Sequence, residues 1–92
     1  MVPHPIDITR RYLEERQLTL QAFADGLGIN ASRQMVFMWK EGKQAPSLET
    51  LFKVSQSKTA ADWAKQWAGE CIAAIAGVRT VVNLEKLEEG GD

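Results

Sequence analysis

Residues 18–51, LTLQAFADGLGINASRQMVFMWKEGKQAPSLETL, constrain the fold of this 92-residue chain more than any other stretch. The first apolar side chains of this stretch recur at intervals of three and four residues, which places them on one face of a helix. They are Leu20, Phe23, Ala24 and Leu27. Thr19 can cap the start of such a helix, and Gly28 suits the left-handed position that ends it. The pattern predicts a short helix over about residues 20–27, followed by a turn.

A second helix is predicted over about residues 32–41, because Asn30 or Ser32 can cap its start and Gly42 can end it. Two helices joined by a tight turn are the sequence form of a DNA-reading unit, whose second helix enters the major groove. A plain helical bundle is the alternative interpretation of the same pattern.

The second of these helices contains five consecutive apolar residues, MVFMW at positions 35–39. One helix face in a small domain cannot bury all of them, so some must contact a partner, which could be DNA, another chain or a fifth helix. If the helix packs through Met35 or Val36 and through Trp39, four side chains point outward. They are Arg33, Gln34, Phe37 and Met38.

These four side chains are the candidate base-reading residues. Arg33 and Gln34 would lie in the first helical turn, the part of a recognition helix that reaches base edges. Arginine can bond bidentately to guanine and glutamine to adenine, while Phe37 and Met38 can contact a thymine methyl group. Under the alternative, Arg33 and Gln34 are ordinary surface residues, and the two apolar side chains belong to the core at another helix rotation.

Three further helices complete the prediction of an all-α, five-helix bundle. The first covers about residues 5–16, with His4 as a surface residue before it. The fourth covers about residues 48–55 and begins after Ser47, which is a good N-cap. We expect this fourth helix to bury four apolar side chains: Leu48, Leu51, Phe52 and Val54.

Helix five is expected to open at Thr59, where Asp62 completes a pattern similar to a capping box. Its apolar residues form two adjacent rows that cover about 220°, well beyond the ~100° that a surface helix needs for packing on one core. The excess predicts a second contact, with the chain's own tail or an identical chain. The residues predicted for this dimer or partner surface are Trp63, Trp67, Cys71 and Ile75.

Gly77 is expected to break helix five. Residues 78–84, VRTVVNL, are rich in β-branched side chains and could form a short strand. The chain is therefore divided into a domain of residues 1–77 and a C-terminal extension of residues 78–92 with an acidic tail.

The net charge of −1 is unusual for a DNA-binding protein, which commonly has a basic excess. The deficit is local, because residues 85–92 carry −3 and leave +2 for residues 1–84. Such a mildly basic body is compatible with duplex contact of modest affinity. The basic residues that we expect to contact phosphates are Lys40, Lys43, Arg10 and Arg11.

Other function classes find little support in the composition. His4 is the only histidine and Cys71 the only cysteine, so we expect no metal site, no cofactor and no disulfide. No paired carboxylates or nucleophile constellation suggests an enzyme. Without a signal segment or a long apolar run, we expect a soluble, cytoplasmic protein that does not span a membrane.

The central stretch resembles the Cro and phage-repressor type of helix-turn-helix family. The family pattern runs Leu-Thr, Ala, Leu-Gly, Trp-x-x-Gly, Pro-Ser, Leu. The matching residues cover about a third of the chain: Leu18, Thr19, Ala24, Leu27, Gly28, Trp39, Gly42, Pro46, Ser47, Leu48 and Leu51. The resemblance implies a five-helix DNA-binding domain that commonly acts as a dimer on a palindromic site. It also makes Thr19, Gln21 and Ser32 candidate phosphate contacts.

Two departures from the family pattern concern the DNA-contacting face. Family members often have Gln directly after the cap of helix two, where it holds a phosphate, but here Leu20 occupies that position and Gln21 follows. Counting back from Trp39, Asn30 and Ala31 look like an insertion that lengthens either the turn or the helix.

The sequence therefore favours a sequence-specific, double-stranded DNA-binding transcriptional regulator of prokaryotic or phage type, such as a repressor, acting as a homodimer. The alternative is a protein-interaction module on the same fold, antitoxin-like or a phage adaptor, with little DNA affinity of its own.

Overall fold

The structure is a computed structural model that describes the backbone of residues 4–90 and the side chains of residues 4–77. Within residues 4–90 the chain forms helices only, which confirms the all-α prediction. There are five helices in chain order: α1 Pro5–Glu15, α2 Leu20–Gly26, α3 Arg33–Lys40, α4 Leu48–Gln56 and α5 Asp62–Gly90. The side chains of the acidic tail lie outside the described part.

Side chains cap the first four helices, each accepting a hydrogen bond from a backbone N–H group that has no partner inside the helix. Thr19, Ser32 and Ser47 accept from Ala22, Met35 and Thr50 at 3.0, 3.1 and 3.2 Å. The structure thus selects Ser32 rather than Asn30 as the cap of α3. His4, which was expected to be only a surface residue, caps α1 through Nδ1, which accepts from the backbone of Ile6 at 3.1 Å.

Helix α5 begins at Asp62, so the prediction that Thr59 opens it is wrong. The backbone N–H of Thr59 instead donates to the hydroxyl of Ser57, which donates to the carbonyl of Gly28 at 2.8 Å. Two residues later, Ala61 N–H donates to the carbonyl of Gly26 at 2.9 Å. These hydrogen bonds hold residues 57–61, which precede α5, against the C-terminal end of α2 and the turn after it.

The expected break at Gly77 is also wrong, because α5 continues without interruption to Gly90 and residues 78–84 are helical rather than a strand. A single glycine costs a helix only about 1 kcal/mol relative to alanine. A helix that is already nucleated can propagate through such a residue, and the β preference of the VRTVVNL segment is weak by comparison.

Trp67 of α5 lies at the centre of the core and contacts three other helices. Its ring packs edge-on against Phe23 of α2 at a centroid distance of 5.2 Å and stacks on Trp39 of α3 at 5.5 Å. Its indole Nε1–H donates to the hydroxyl of Thr9 in α1 at 2.9 Å, and Thr9 donates to the carbonyl of Pro5 at 2.8 Å. The only buried polar side chain of the described core is thus part of a fully bonded network.

Helix α4 buries Leu51 and Val54 completely, as predicted, and Leu48 partly. Phe52 was predicted to be buried, but 45% of its surface is exposed. The reason is its position next to Leu51, since consecutive residues point about 100° apart on a helix and only one of the two can face the core.

Two glycines permit close contacts around α2. Gly28 has a φ of +68°, and a Cβ atom there would lie 2.6 Å from the backbone nitrogen of Ala60. Gly26 lies under the indole ring of Trp63, and an added Cβ would collide with ring atom Cζ2. Glycine lowers the stability of a helix. At Gly26 this cost is offset by the contact that it allows between α2 and α5.

We predict that Thr9→Val lowers the free energy of unfolding by about 1–3 kcal/mol, because the buried Nε1–H group of Trp67 loses its acceptor while the side-chain volume stays the same. Denaturant unfolding monitored by tryptophan fluorescence would measure the change. Thr50→Val is the control, since the Thr50 hydroxyl pairs only with the exposed hydroxyl of Ser47. Equal stability of the Thr9 variant and the native chain would contradict the role of the network.

We also predict that Gly26→Ala destabilises the fold by roughly 1–3 kcal/mol, because the ring of Trp63 must move. Gly69→Ala is the matched control, because nothing lies within 4 Å of a Cβ atom added there. The control should gain up to about 1 kcal/mol from the better helix propensity of alanine. Stabilisation of both variants to the same extent in thermal unfolding would exclude a tight contact at Gly26.

Candidate nucleic-acid interface

Helix α3 is oriented by two residues that face the core. Val36 is completely buried and Trp39 is 3% exposed. Arg33 and Gln34 consequently lie exposed in the first turn of the helix, while Phe37 and Met38 are half-buried on its flank. The predicted base-reading side chains thus share one accessible side of α3.

The turn between α2 and α3 places α3 against the preceding helix. Leu27 in this turn is completely buried, and two residues adopt left-handed backbone conformations, Gly28 with φ +68° and Asn30 with φ +58°. Because α3 starts only at Arg33, Asn30 and Ala31 lengthen the turn and not the helix. Asparagine tolerates the left-handed conformation better than most residues.

Three basic residues lie at or beside the C-terminal end of α3: Arg10, Lys40 and Lys43. Arg10 Nε donates to the backbone carbonyl of Lys40 at 2.7 Å. Lys43 Nζ lies 5.9 Å from the ring centroid of Phe37. A cleft of about 490 Å³ adjoins this end, and its lining residues are Arg10, Lys40, Glu14, Leu13 and Leu18. Arg33 lies at the opposite end of α3, so a basic residue stands at each end of the helix, and the exposed Glu41 follows Lys40 directly.

Arg11 does not join this group. Its Nη2 atom lies 2.9 Å from both carboxylate oxygens of Glu70 in α5, and its Nε lies 3.5 Å from Glu15. The hydrogen bond to Glu70 raises the pKa of the Arg11 guanidinium. Burial, together with the nearby carboxylate of Glu70, raises the pKa of the neighbouring Tyr12 to about 12. Arg11 therefore connects α1 to α5, away from the end of α3.

The start of α2 offers polar groups that already have partners. The hydroxyl of Thr19 caps the helix, and Gln21 Nε2 donates to the carboxylate of Asp25 at 2.8 Å. Leu20 is half-buried and packs against the core. A phosphate contact by Gln21 would require its side chain to give up the hydrogen bond to Asp25. Thr19 and Ser32 could contact a phosphate only from the positions in which their hydroxyls cap α2 and α3.

Two of the four residues predicted for a partner surface are core residues. Trp67 and Cys71 are completely buried within the chain, because the broad apolar face of α5 is covered by α1 and α4 and by the rings of α2 and α3. Trp63 and Ile75 remain partly exposed at the edge of the core. Trp63 packs on Phe23 with ring centroids 5.0 Å apart.

Two interactions of α1 were not predicted from the sequence: the bond between Arg10 and the carbonyl of Lys40, and the ion pair between Arg11 and Glu70. Each joins residues that are 30 or 59 positions apart. Periodicity within one helix carries no information about such pairs, since only the packing of α1 on α3 and α5 brings the partners together.

An exposed helix with a basic residue at each end, held across a turn by a preceding helix, is an arrangement found in nucleic-acid-binding domains. A family model described as helix-turn-helix matches residues 10–57, from α1 through the end of α4. The chain therefore belongs to the helix-turn-helix family, whose general type is a DNA-binding regulator. No curated protein and no solved structure matched the chain. Of the helices described, none is long and apolar enough to cross a membrane.

We predict that Cys71 in the folded protein reacts with a thiol reagent at pH 8 at least about 100-fold more slowly than in the unfolded chain, because only the exposed thiolate is reactive. Burial raises the pKa of its thiol to about 12. The same shift means that stability from this group is complete below the unfolded pKa near 9 and is lost as the pH rises toward 12. Rapid labelling of the native chain would contradict the burial of Cys71 and support its place on a partner surface.

Proposed function

We propose that the chain is a sequence-specific, double-stranded DNA-binding transcriptional regulator that inserts α3 into the major groove. The observation that carries this proposal is the exposure of Arg33 and Gln34 in the first turn of α3, while Val36 and Trp39 anchor the opposite side. In this proposal Arg33 pairs with guanine and Gln34 with adenine, while Phe37 and Met38 contact thymine methyl groups.

Affinity in this proposal comes from phosphate contacts at the C-terminal end of α3 and at the starts of α2 and α3. Lys40 and Lys43 are exposed, and Ser32, Thr19 and Gln21 lie at helix starts, where backbone N–H groups favour an anion. Arg11 is not among these contacts, because its guanidinium is already paired with Glu70. With few phosphates neutralised, binding should weaken with salt by a slope of about −0.9 per contact in a plot of log K against log salt.

The regulator is proposed to be of prokaryotic or phage type, such as a repressor, and to act in the cytoplasm as a homodimer. A two-fold dimer reads two half-sites about 34 Å apart, or a multiple of that, so its operator is palindromic. Trp63 and Ile75, which are partly exposed on α5, are the described residues that we propose for the dimer contact.

A second candidate function is a protein-interaction module, antitoxin-like or a phage adaptor. It is favoured by the 45% exposure of Phe52 and by the half-buried apolar residues Met35, Phe37 and Met38 on α3. Selection of bound duplexes from a random pool at low salt separates the two candidates. A palindromic motif supports the regulator, whereas a chain that retains no duplex would favour the interaction module.

We predict that Arg33→Ala and Lys43→Ala weaken DNA binding in different ways. Arg33→Ala should lower discrimination at one base pair of each half-site by roughly 1–3 kcal/mol, because alanine cannot bond to the base. Lys43→Ala should weaken binding to all duplexes alike and reduce the salt slope by about 0.9 for each phosphate that is no longer neutralised. Fluorescence anisotropy with the selected duplex and single-base variants would measure both effects.

Lys65→Ala on α5 is the control for charge removal outside α3, and it should leave discrimination unchanged. Equal weakening on every duplex by Arg33→Ala would count against base reading by this residue.

A further inference from the structure

The C-terminal end of α3 is closed by a glycine turn, in which Gly42 has a φ of +77° and the following backbone N–H groups bond back to the helix. The last four carbonyls of a helix have no partner within the helix. In α3, three of them accept hydrogen bonds from the backbone of the following turn. The donors are Glu41 to Phe37 at 2.9 Å, Gly42 to Trp39 at 3.1 Å, and Lys43 to Met38 at 3.0 Å.

The fourth carbonyl, that of Lys40, accepts from a side chain instead. Arg10 Nε donates to it at 2.7 Å, and Arg10 belongs to α1, 30 residues earlier in the chain. A cation at this place also interacts favourably with the negative end of the helix dipole. Gly42 leaves room for the guanidinium, since a Cβ there would lie 3.3 Å from Arg10 Nη2.

Arg10 is attached to a rigid support. Ile8, Tyr12 and Leu13 on the same helix are buried, at 2%, 6% and 8% exposure, and Thr9 is bonded to Trp67. The bond from Arg10 therefore holds the end of α3, and the turn that carries Lys43, against a helix that is itself anchored in the core.

We propose that Arg10 is a positioning residue for DNA binding. It holds the last turn of α3 and the turn after it so that Lys40 and Lys43 stand ready for the phosphates, and it acts through this bond to the carbonyl of Lys40 rather than by contacting a phosphate. This role differs from the phosphate contact that the sequence predicted for Arg10. The inference rests on the proposed function of α3.

Two substitutions separate the hydrogen bond from the charge. Arg10→Gln removes the charge but places an amide N–H donor at the same number of bonds from the backbone as Arg Nε. Arg10→Met removes both the charge and the donor while keeping an unbranched side chain. A positioning role predicts that glutamine rescues what methionine loses, whereas a phosphate contact predicts that both variants lose it equally.

The binding experiment is a salt titration of both variants on the duplex selected by the native chain, at a temperature well below unfolding. Arg10→Met should bind roughly threefold to tenfold more weakly, as expected for one net hydrogen bond. Arg10→Gln should stay within about threefold of the native affinity and keep the native salt slope. Weaker binding by both variants, with both slopes reduced by about 0.9, would assign Arg10 to a phosphate and overturn the proposal.

Amide hydrogen exchange in the free protein tests the bond without DNA. The Gly42 and Lys43 amides should exchange several-fold faster in Arg10→Met than in Arg10→Gln, while the amide of the core residue Trp67 is the internal reference. Unchanged exchange in Arg10→Met would refute the positioning role whether or not DNA binds. A native chain that binds no duplex would instead refute the proposed function.

Discussion

The bond between the indole of Trp67 and the hydroxyl of Thr9 is the interaction on which the arrangement of the helices depends. Burying a tryptophan completely is costly unless its N–H group finds an acceptor, and here Thr9 supplies one at 2.9 Å. With that group satisfied, the ring contacts Phe23 and Trp39 and thereby links α1, α2 and α3 to α5. The exposed side of α3 is set by this packing, because Trp39 stacks on the same ring.

Local chemistry in the sequence was sufficient for most of the fold. Thr19 and Ser47 were identified as caps, and Ser32 as one of two candidates beside Asn30, because their hydroxyls can satisfy N–H groups only a few residues away. The exposed positions of Arg33 and Gln34 followed from helical periodicity once the core side of α3 was chosen correctly. The cap formed by His4 was missed, because imidazole is an uncommon N-cap and its position beside two prolines suggested a free terminus.

The errors concern contacts between distant parts of the chain. The breadth of the apolar face on α5 suggested a partner at Trp67 and Cys71, but the chain covers both with its own helices. Periodicity reports how much of a helix is apolar and not what covers it. The same limit applies to the contact between Gly26 and Trp63, since the periodicity of α2 carries no information about the ring that packs on it.

Although the chain is nearly neutral, the basic residues of α3 can remain available to a partner, because the ion pairs of the described residues lie on other helices. Arg11 is paired with Glu70 and Glu15, and Lys53 with Glu49. Within the described part of the chain, no carboxylate forms an ion pair with Arg33, Lys40 or Lys43. The three ion pairs of the described part of the chain thus lie outside α3 and leave its cations available for a partner. Because few basic residues are proposed to contact phosphates, the affinity for DNA depends on the positions of Lys40 and Lys43. It therefore depends on the contacts that hold the C-terminal end of α3.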